Sequence, residues 1–544
     1  MTLSSVASKL DTVKIIVADK ISDRGIALLR AESWDVTEHG ADALAAAIAD
    51  ADALIVRSAT RVTAEFLERA PRLRVVGRAG VGVDNIDIDA ATRRGVLVMN
   101  TPGGNAVSVA EHTFALLLAL ARAVPQLASS VRAGRWEKSG AAGTELRGKT
   151  LGLVGLGRVG TEVAARARAF EMTVLASDPY VSAEVAQEVG VELVPFGKLL
   201  ALSDFISLHA SLGPATEKII DARAIAQMKC GVRIINCARG ELVDEAALAE
   251  ALRSGKISGA ALDTFASEPP CDSPLVGLPN VIATPHVAGS TAEAQEEVGS
   301  LIAQQVRDYL AEGIIRNAVN LPALSAEQYR RIRPYLDLAE RLGSLVAQAS
   351  PLENYAGAPR IRIVYSGETA ELGTHLLRSA VLAGVLNCVL DEKLNLVNAA
   401  EVAAARGVVV EETTRRRERG FPSTIEITMI SDGRELAAEG TVMHSSSPRV
   451  LRLDGIDLEA PLEGTLLLTR SRDVPGVIGQ IGTLLGNLGV NIATFALGRR
   501  DARDHLADAV ALIRLDGEVS GAILAAVRAI SAIEDARLIQ LPSA

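Results

Sequence analysis

Apolar and polar positions alternate between two textures over the first half of the chain. Short β-branched runs, VKIIVAD, DALIVRS, RLRVVGRAG and GVLVMN, fall between Lys14 and Asn100, separated by alanine-rich helical stretches such as that near Ile26. This alternation predicts a parallel sheet covered on both faces by helices. One long helical pattern follows from Asn105 to about Arg122. At Thr150 a second set begins, TLGLVGLG, MTVLASD, FISLHA, VRIINCA, SGAALDTF and NVIATPH, and predicts a second α/β unit. The helical run from Thr291 to about Gly313 ends near Pro322 and is placed to return the chain to the first unit.

After Leu324 the texture changes. A helix-rich stretch spans Ala326 to Ala349, followed by strand signals in RIRIVYSG and STIEITMI. The last block, from about Gly464 to Ala544, reads strand, helix, strand, strand, helix, strand through TLLLTR, GVIGQIGTLLGNLG, NIATFALGR, ADAVALIRL, ILAAVRAI and EDARLIQL. That order suits a ferredoxin-like sandwich. The expected fold class is α/β with two doubly wound parallel-sheet domains, then an α+β region and the ferredoxin-like block.

Composition narrows the partners. With 544 residues the chain has room for three or four domains, and with only 3% aromatic residues the cores must be filled by Leu, Val, Ile and Ala. A net charge of -10 disfavours nucleic acid and anionic membrane as partners. An anionic substrate would need a local basic pocket. Cys230, Cys237, Cys271 and Cys388 show no metal-ligand or disulfide spacing, so no metal is expected. The opening MTLSSVASKLDTVKIIVADK lacks a basic stretch followed by an apolar core, and no apolar run approaches a membrane span. The expected location is the cytoplasm.

Two constellations carry chemistry. LGLVGLGRVG places Gly155, Gly157 and Gly160 in GxGxxG spacing after a strand and at the start of a helix. The first glycine permits a tight turn, the second lets a pyrophosphate approach the backbone, and the third packs helix on strand. The helix N-terminus offers free N–H groups and a positive dipole to phosphates. Asp178 ends the next strand, where a carboxylate accepts hydrogen bonds from ribose hydroxyls and repels a 2′-phosphate, so NAD is expected rather than NADP.

Arg239, Glu268 and His286 follow successive strands of the second unit, VRIINCA, AALDTF and VIA. Strand C-termini of a parallel sheet line one crevice, which brings distant residues together. Oxidation of a secondary alcohol needs a base for the hydroxyl proton, and imidazole titrates near working pH. His286 is the expected base, Glu268 the carboxylate that orients it, and Arg239 the planar fork for a substrate carboxylate. Asp244 reads as a helix N-cap before EAALAEAL.

These residues lie in stretches that resemble the D-isomer-specific 2-hydroxyacid dehydrogenases, and their long form most closely: GRAGVGVDNIDIDAATRRGVLVMNTPGGN, SVAEH, GLVGLGRVG, INCARGELVDEAAL, ALDTFASEPP and TPHVAGST, spanning residues 78 to 291. The resemblance implies the same roles for Arg239, Glu268 and His286. It implies that NAD is contacted around Arg158 and Val159, at Asp178, along Cys237, Ala238 and Arg239, at Asp263, and from His286 through Val287 and Ala288 to Gly289. The substrate side would come from Arg57 and Arg78, from Ala79, Gly80, Val81 and Gly82, and from Asn105, together with Arg239 and His286. Relatives often carry a threonine where this chain has Val81.

The resemblance further implies a substrate-binding domain over 12–104 and 296–325, an NAD-binding Rossmann domain over 105–295, an intervening domain over 326–460 and an ACT domain over 464–544. In the ACT-like stretch RDVPGVIGQIGTLLGNLGVNI, Asp473 and Asn491 would contact L-serine as an allosteric effector. Ser471 stands where serine-binding relatives carry an aromatic residue. Arg415, Arg416, Arg417 and Arg419 form the basic cluster of the intervening region and read as a solvated loop. The implied reaction is oxidation of 3-phosphoglycerate by NAD to 3-phosphooxypyruvate, the first step toward L-serine, in a homo-oligomer, expected to be a tetramer. Reduction of another 2-oxo acid, such as hydroxypyruvate, glyoxylate or 2-oxoglutarate, is a second reading. A non-catalytic NAD-sensing corepressor is a third, against which the complete Arg239, Glu268, His286 set argues.

Overall fold

The computed structural model describes residues 12–542, apart from 41–43, 45, 137, 139–141, 323, 351–358, 391, 416–420, 422, 432–433, 445, 501–507 and 518. Arg416, Arg417 and Arg419 therefore lie outside the described residues, while Arg415 sits 3.8 Å from Glu426.

The first sheet holds β1 (Lys14–Val17), β2 (Asp35–Glu38), β3 (Ala53–Val56), β4 (Val75–Arg78) and β5 (Leu97–Met99), in the order β2-β1-β3-β4-β5. All pairings are parallel. The central β3 reads ALIV and is buried throughout, as a strand covered on both faces must be. Helix Ala292–Glu312 starts at Thr291, whose side chain accepts from Ala294 N–H, and stops at Gly313 with φ +69°. It packs on this sheet through Val298, Ile302, Ala303 and Val306. A Cβ on Gly77 would come within 2.8 Å of Ile302 and Val306, so the glycine sets how closely helix and β4 approach.

The second sheet holds β6 (Thr150–Val154), β7 (Thr173–Ser177), β8 (Glu192–Leu193), β9 (Phe205–Leu208), β10 (Val232–Asn236), β11 (Ile257–Leu262) and β12 (Val281–Ala283), in the order β12-β11-β10-β9-β6-β7-β8. These pairings are also parallel. Strand order reverses between β6 and β9, which opens a crevice at their C-terminal ends.

The third sheet is mixed and holds β13 (Arg360–Gly367), β14 (Val409–Arg415), β15 (Ser423–Ser431), β16 (Arg434–Met443), β17 (Ser447–Leu453) and β18 (Ile456–Pro461). Two helices, Ala326–Ala349 and Thr374–Leu386, pack beside it. They cross at Gly343 and Gly384, where a Cβ would meet Val381 O at 2.4 Å and Glu340 O at 2.0 Å. Asn395 of this unit donates to Gly95 O at 2.8 Å, tying it to the turn before β5.

The last sheet, of β19 (Thr465–Arg472), β20 (Asn491–Arg499), β21 (Asp508–Asp516) and β22 (Ile533–Gln540), has the order β20-β21-β19-β22 and is antiparallel. With helices Val477–Asn487 and Gly521–Arg528 it forms the ferredoxin-like sandwich expected. Two parallel-sheet units followed by an α+β unit and this sandwich match the expected fold class. Among the described residues no single helix is long and apolar enough to cross a membrane.

Candidate active site

The crevice of the second sheet begins at Gly155, which follows β6 with φ +96°. A Cβ there would lie 2.7 Å from His209 O beyond β9, so the turn closes against the neighbouring strand only with glycine. Gly160 is packed as tightly, its Cβ position lying 2.4 Å from Gly155 O. Gly157 differs: a Cβ there meets nothing within 4 Å. An open backbone at the N-terminus of helix Arg158–Ala169 fits a pyrophosphate, as NAD binding requires. Asp178 follows β7 and braces this turn, accepting from Leu156 N–H at 2.8 Å and from Tyr180 N–H at 2.9 Å. Val159 packs behind the turn against the sheet, and Arg158 reaches across to Pro102 O.

Two of the three catalytic candidates, Glu268 and His286, meet directly. His286 Nδ1 lies 2.9 Å from Glu268 Oε2, and both side chains are partly open to solvent. Glu268 Oε1 accepts from Phe265 N–H at 3.1 Å, which fixes the carboxylate from behind. Bonding through Nδ1 leaves His286 Nε2 as the nitrogen available to a substrate. His286 itself has φ +52°, a left-handed backbone unfavourable for a side-chain-bearing residue.

The turn that carries it is built on Asp263. This carboxylate is fully buried and accepts from Thr284 Oγ1 at 2.6 Å, Val287 N–H at 3.0 Å and Ala288 N–H at 2.9 Å. Burial alone would push its pKa up, but hydrogen bonds from His112, Thr284, Val287 and Ala288 hold it down at about 2. Cys237 is also buried, which pushes its thiol up to about 12 despite a hydrogen bond from Thr113. It packs in the core with Ile235, Ala261 and Ala288 as a neutral thiol.

A group of cations gathers where the two parallel sheets meet. Arg239 Nη2 pairs with Asp84 Oδ2 at 3.2 Å, and its Nη1 donates to Ala238 O at 2.8 Å. Gly82 lies against the same guanidinium, with a Cβ position 2.0 Å from Arg239 Nη2. Arg78 has its pKa lowered by burial and then by the charge of Arg239, with Asp84 opposing and Arg57 adding to the repulsion. Its Nε is buried without a hydrogen-bond partner in the structure. The backbone of Ala79, Gly80 and Val81 follows directly, with Gly80 O accepting from Thr101 N–H at 3.0 Å and Val81 O from Asn100 Nδ2 at 2.6 Å. Three guanidiniums are thus gathered at the junction of the two sheets, where a dianionic or trianionic ligand would relieve their repulsion.

Residues 114–288 match the D-isomer specific 2-hydroxyacid dehydrogenase, NAD binding domain, and residues 331–454 match the D-3-phosphoglycerate dehydrogenase intervening domain. A D-3-phosphoglycerate dehydrogenase of Methanocaldococcus jannaschii is 41% identical over 97% of this chain and 100% of its own length. The chain belongs to the D-3-phosphoglycerate dehydrogenase family. Its relative in Mycobacterium leprae is 43% identical over 96% of this chain and 98% of its own. Among solved structures, a D-lactate dehydrogenase of Aquifex aeolicus complexed with NAD and lactic acid covers 57% of this chain and 100% of its own, with 29% identity and a TM-score of 0.50.

Three site residues escaped the sequence reading. Asp84 and His112 lie inside motifs of the family, but their partners, Arg239 and Thr284, are far away along the chain. His209 follows β9 directly and bonds Ser207 Oγ at 2.8 Å; burial of the ring lowers its pKa to about 4, leaving it neutral near pH 7. Its signal was position alone, at a strand end next to the switch point.

One expected pair is not brought together within the chain. Asp473 lies 3.5 Å from Arg499, at the end of β20, whereas Asn491 begins β20 and donates to Asp516 at 2.7 Å. The strand between them rises by roughly 3.3 Å per residue, which puts these side chains at opposite ends of the sheet. Asp473 instead lines a cavity of about 520 Å³ with Ser471, Phe495 and Arg499, and Asn491 is not among its lining residues.

Proposed function

We propose that the chain oxidises 3-phosphoglycerate at its 2-hydroxyl to 3-phosphooxypyruvate, and that His286 is the base. The observation that carries this reading is the His286–Glu268 pair at 2.9 Å beside three gathered arginines. When bound, NAD supplies the acceptor for the hydride. The residues that would hold it are Gly155 to Gly160, Asp178, Cys237 to Arg239, Asp263 and the turn from His286 to Gly289.

His286 Nε2 takes the hydroxyl proton, and Glu268 favours the resulting imidazolium through Nδ1–H. Arg239 holds the substrate carboxylate with a free edge of its guanidinium, and its charge polarises the carbonyl in the reverse direction. Arg57 and Arg78, with N–H groups of the loop from Ala79 to Gly82, take the phosphate. Asn105 completes the substrate side. In this division, 12–104 and 296–325 bind substrate and 105–295 binds NAD, while 326–460 and 464–544 have regulatory roles. The enzyme acts as a homo-oligomer, with a tetramer as the expected state. An L-serine molecule touching both Asp473 and Asn491 would have to lie between two copies of the chain.

The deciding assay follows NADH appearance at alkaline pH with 3-phosphoglycerate and with unphosphorylated 2-hydroxy acids, in wild type and in Arg57→Ala and Arg78→Ala. Strong phosphate preference that collapses in the variants supports the reading. Preference for an unphosphorylated acid would overturn the substrate and keep the chemistry.

A further inference from the structure

We propose that His112 is a positioning residue for His286, acting with Ser108 as a polar stripe that holds the segment 284–291. The inference rests on the reading of His286 as the base. Helix Ala106–Arg122 begins after Asn105, and Asn105, Ser108 and His112 are spaced by three and four residues, which places them on one face. Each meets the same segment. Asn105 lies against Gly289, where a Cβ would come 2.6 Å from its Nδ2. Ser108 Oγ is 2.7 Å from Thr291 Oγ1. His112 Nε2 is 3.2 Å from Thr284 Oγ1 and 3.4 Å from Asp263 Oδ1.

Hydrogen-bond capacity fixes the direction of this chain of contacts. The Thr284 hydroxyl has one hydrogen and gives it to Asp263 Oδ1 at 2.6 Å. Its lone pairs remain to accept, so His112 donates through Nε2–H and carries its proton there. His112 thus completes a network of Thr284, Asp263, Val287 N–H and Ala288 N–H beneath His286. A histidine at φ +52° persists only where its surroundings over-determine the backbone. Asp263 holds the turn from below, and the helix holds it from the side at both ends. Loss of the side contact lets the turn relax, and the imidazole drifts from Glu268.

The test is a double-mutant cycle of His112→Ala and Thr284→Val in the full chain. Kcat, its pH profile and the NADH dissociation constant are measured by steady-state kinetics and fluorescence titration. Each single variant is expected to lose about tenfold in kcat, since a 1 Å misplacement costs up to roughly a hundredfold. NADH affinity should fall by less than kcat, since the turn from His286 to Gly289 also holds the cofactor. The acid limb of the kcat/KM profile should move to lower pH as Glu268 loses its hold on the imidazolium. The double variant should be no worse than Thr284→Val alone, because that variant already breaks the link to His112 together with its own bond to Asp263, and His112→Gln, which keeps a donor, should recover most of the loss. Unchanged kcat, additive losses, or NADH affinity falling in step with kcat would each overturn the proposal. If His112→Ala does not fold, His112→Phe, which keeps a ring of similar size but no donor, provides the cycle against Thr284→Val. The wild-type substrate is established beforehand, so a wrong substrate shows itself separately, and the cycle then runs on whichever 2-hydroxy acid wild type oxidises.

Discussion

Asp84 Oδ2 lies 3.2 Å from Arg239 Nη2, so a carboxylate from the loop after β4 is paired with a guanidinium from the loop after β10. The contact joins the two parallel sheets at the point where the substrate is proposed to bind. Asp84 plays two opposed parts there: it orients the guanidinium and competes with any anion that approaches. Asp84→Asn should therefore lower the KM for 3-phosphoglycerate about two- to fivefold, the modest gain expected at an exposed site. Kcat should fall about tenfold as Arg239 loses its orientation. Steady-state kinetics at two salt concentrations read both numbers, and a raised KM with unchanged kcat would contradict this account.

Gly82 gives a steric version of the same test. Its added methyl would lie 2.0 Å from Arg239 Nη2 and 2.8 Å from Asp84 Oδ2, both ends of side chains that can move aside. Gly82→Ala should fold, with a melting temperature close to that of wild type, while kcat/KM drops at least about tenfold. Thermal melts alongside kinetics separate displacement of Arg239 from misfolding.

The glycines of the nucleotide turn should divide into two classes. Gly155→Ala places a methyl 2.7 Å from backbone at φ +96°, and should cost about 1–3 kcal/mol from crowding alone, before backbone strain. Gly157→Ala meets nothing within 4 Å and should leave stability unchanged while weakening NADH binding at least about tenfold. Denaturant unfolding and NADH titration of the two variants check the division; equal effects on binding and stability in both would refute it.

Acid should unfold the turn beneath His286 in a defined window. Asp263 is held at about 2, below its ordinary 3.8. The unfolded chain binds the proton first, so this group's contribution is complete above about pH 4 and is lost as pH falls toward 2. That contribution is of order 2 kcal/mol. Asp263→Asn should lose it at neutral pH and flatten the dependence of melting temperature on pH between 4 and 2.

The alternation of buried strands and helices, the GxGxxG turn and the strand-end positions of Arg239, Glu268 and His286 were legible in the sequence, because a parallel sheet buried on both faces leaves unbroken apolar runs that end where chemistry is placed. The edge strands DVTE and EL were not, since one or both of their faces are polar and exposed. Nor were most strands of the third sheet, such as RELAAEGTVM, SPRVLRL and IDLEAP, whose half-exposed positions dilute the apolar signal. The resemblance implied that Asp473 and Asn491 both contact L-serine, and only the course of β20 showed that within one chain they stand at opposite ends of a strand. Tertiary structure alone paired Asp84 with Arg239 and His112 with Thr284, and gathered Arg57 and Arg78 beside Arg239. Sequence spacing determines which face of one element a residue occupies. Which residues of different elements meet depends on how sheets and helices pack, and that is where the orientation of the base and the charge of the substrate pocket are set.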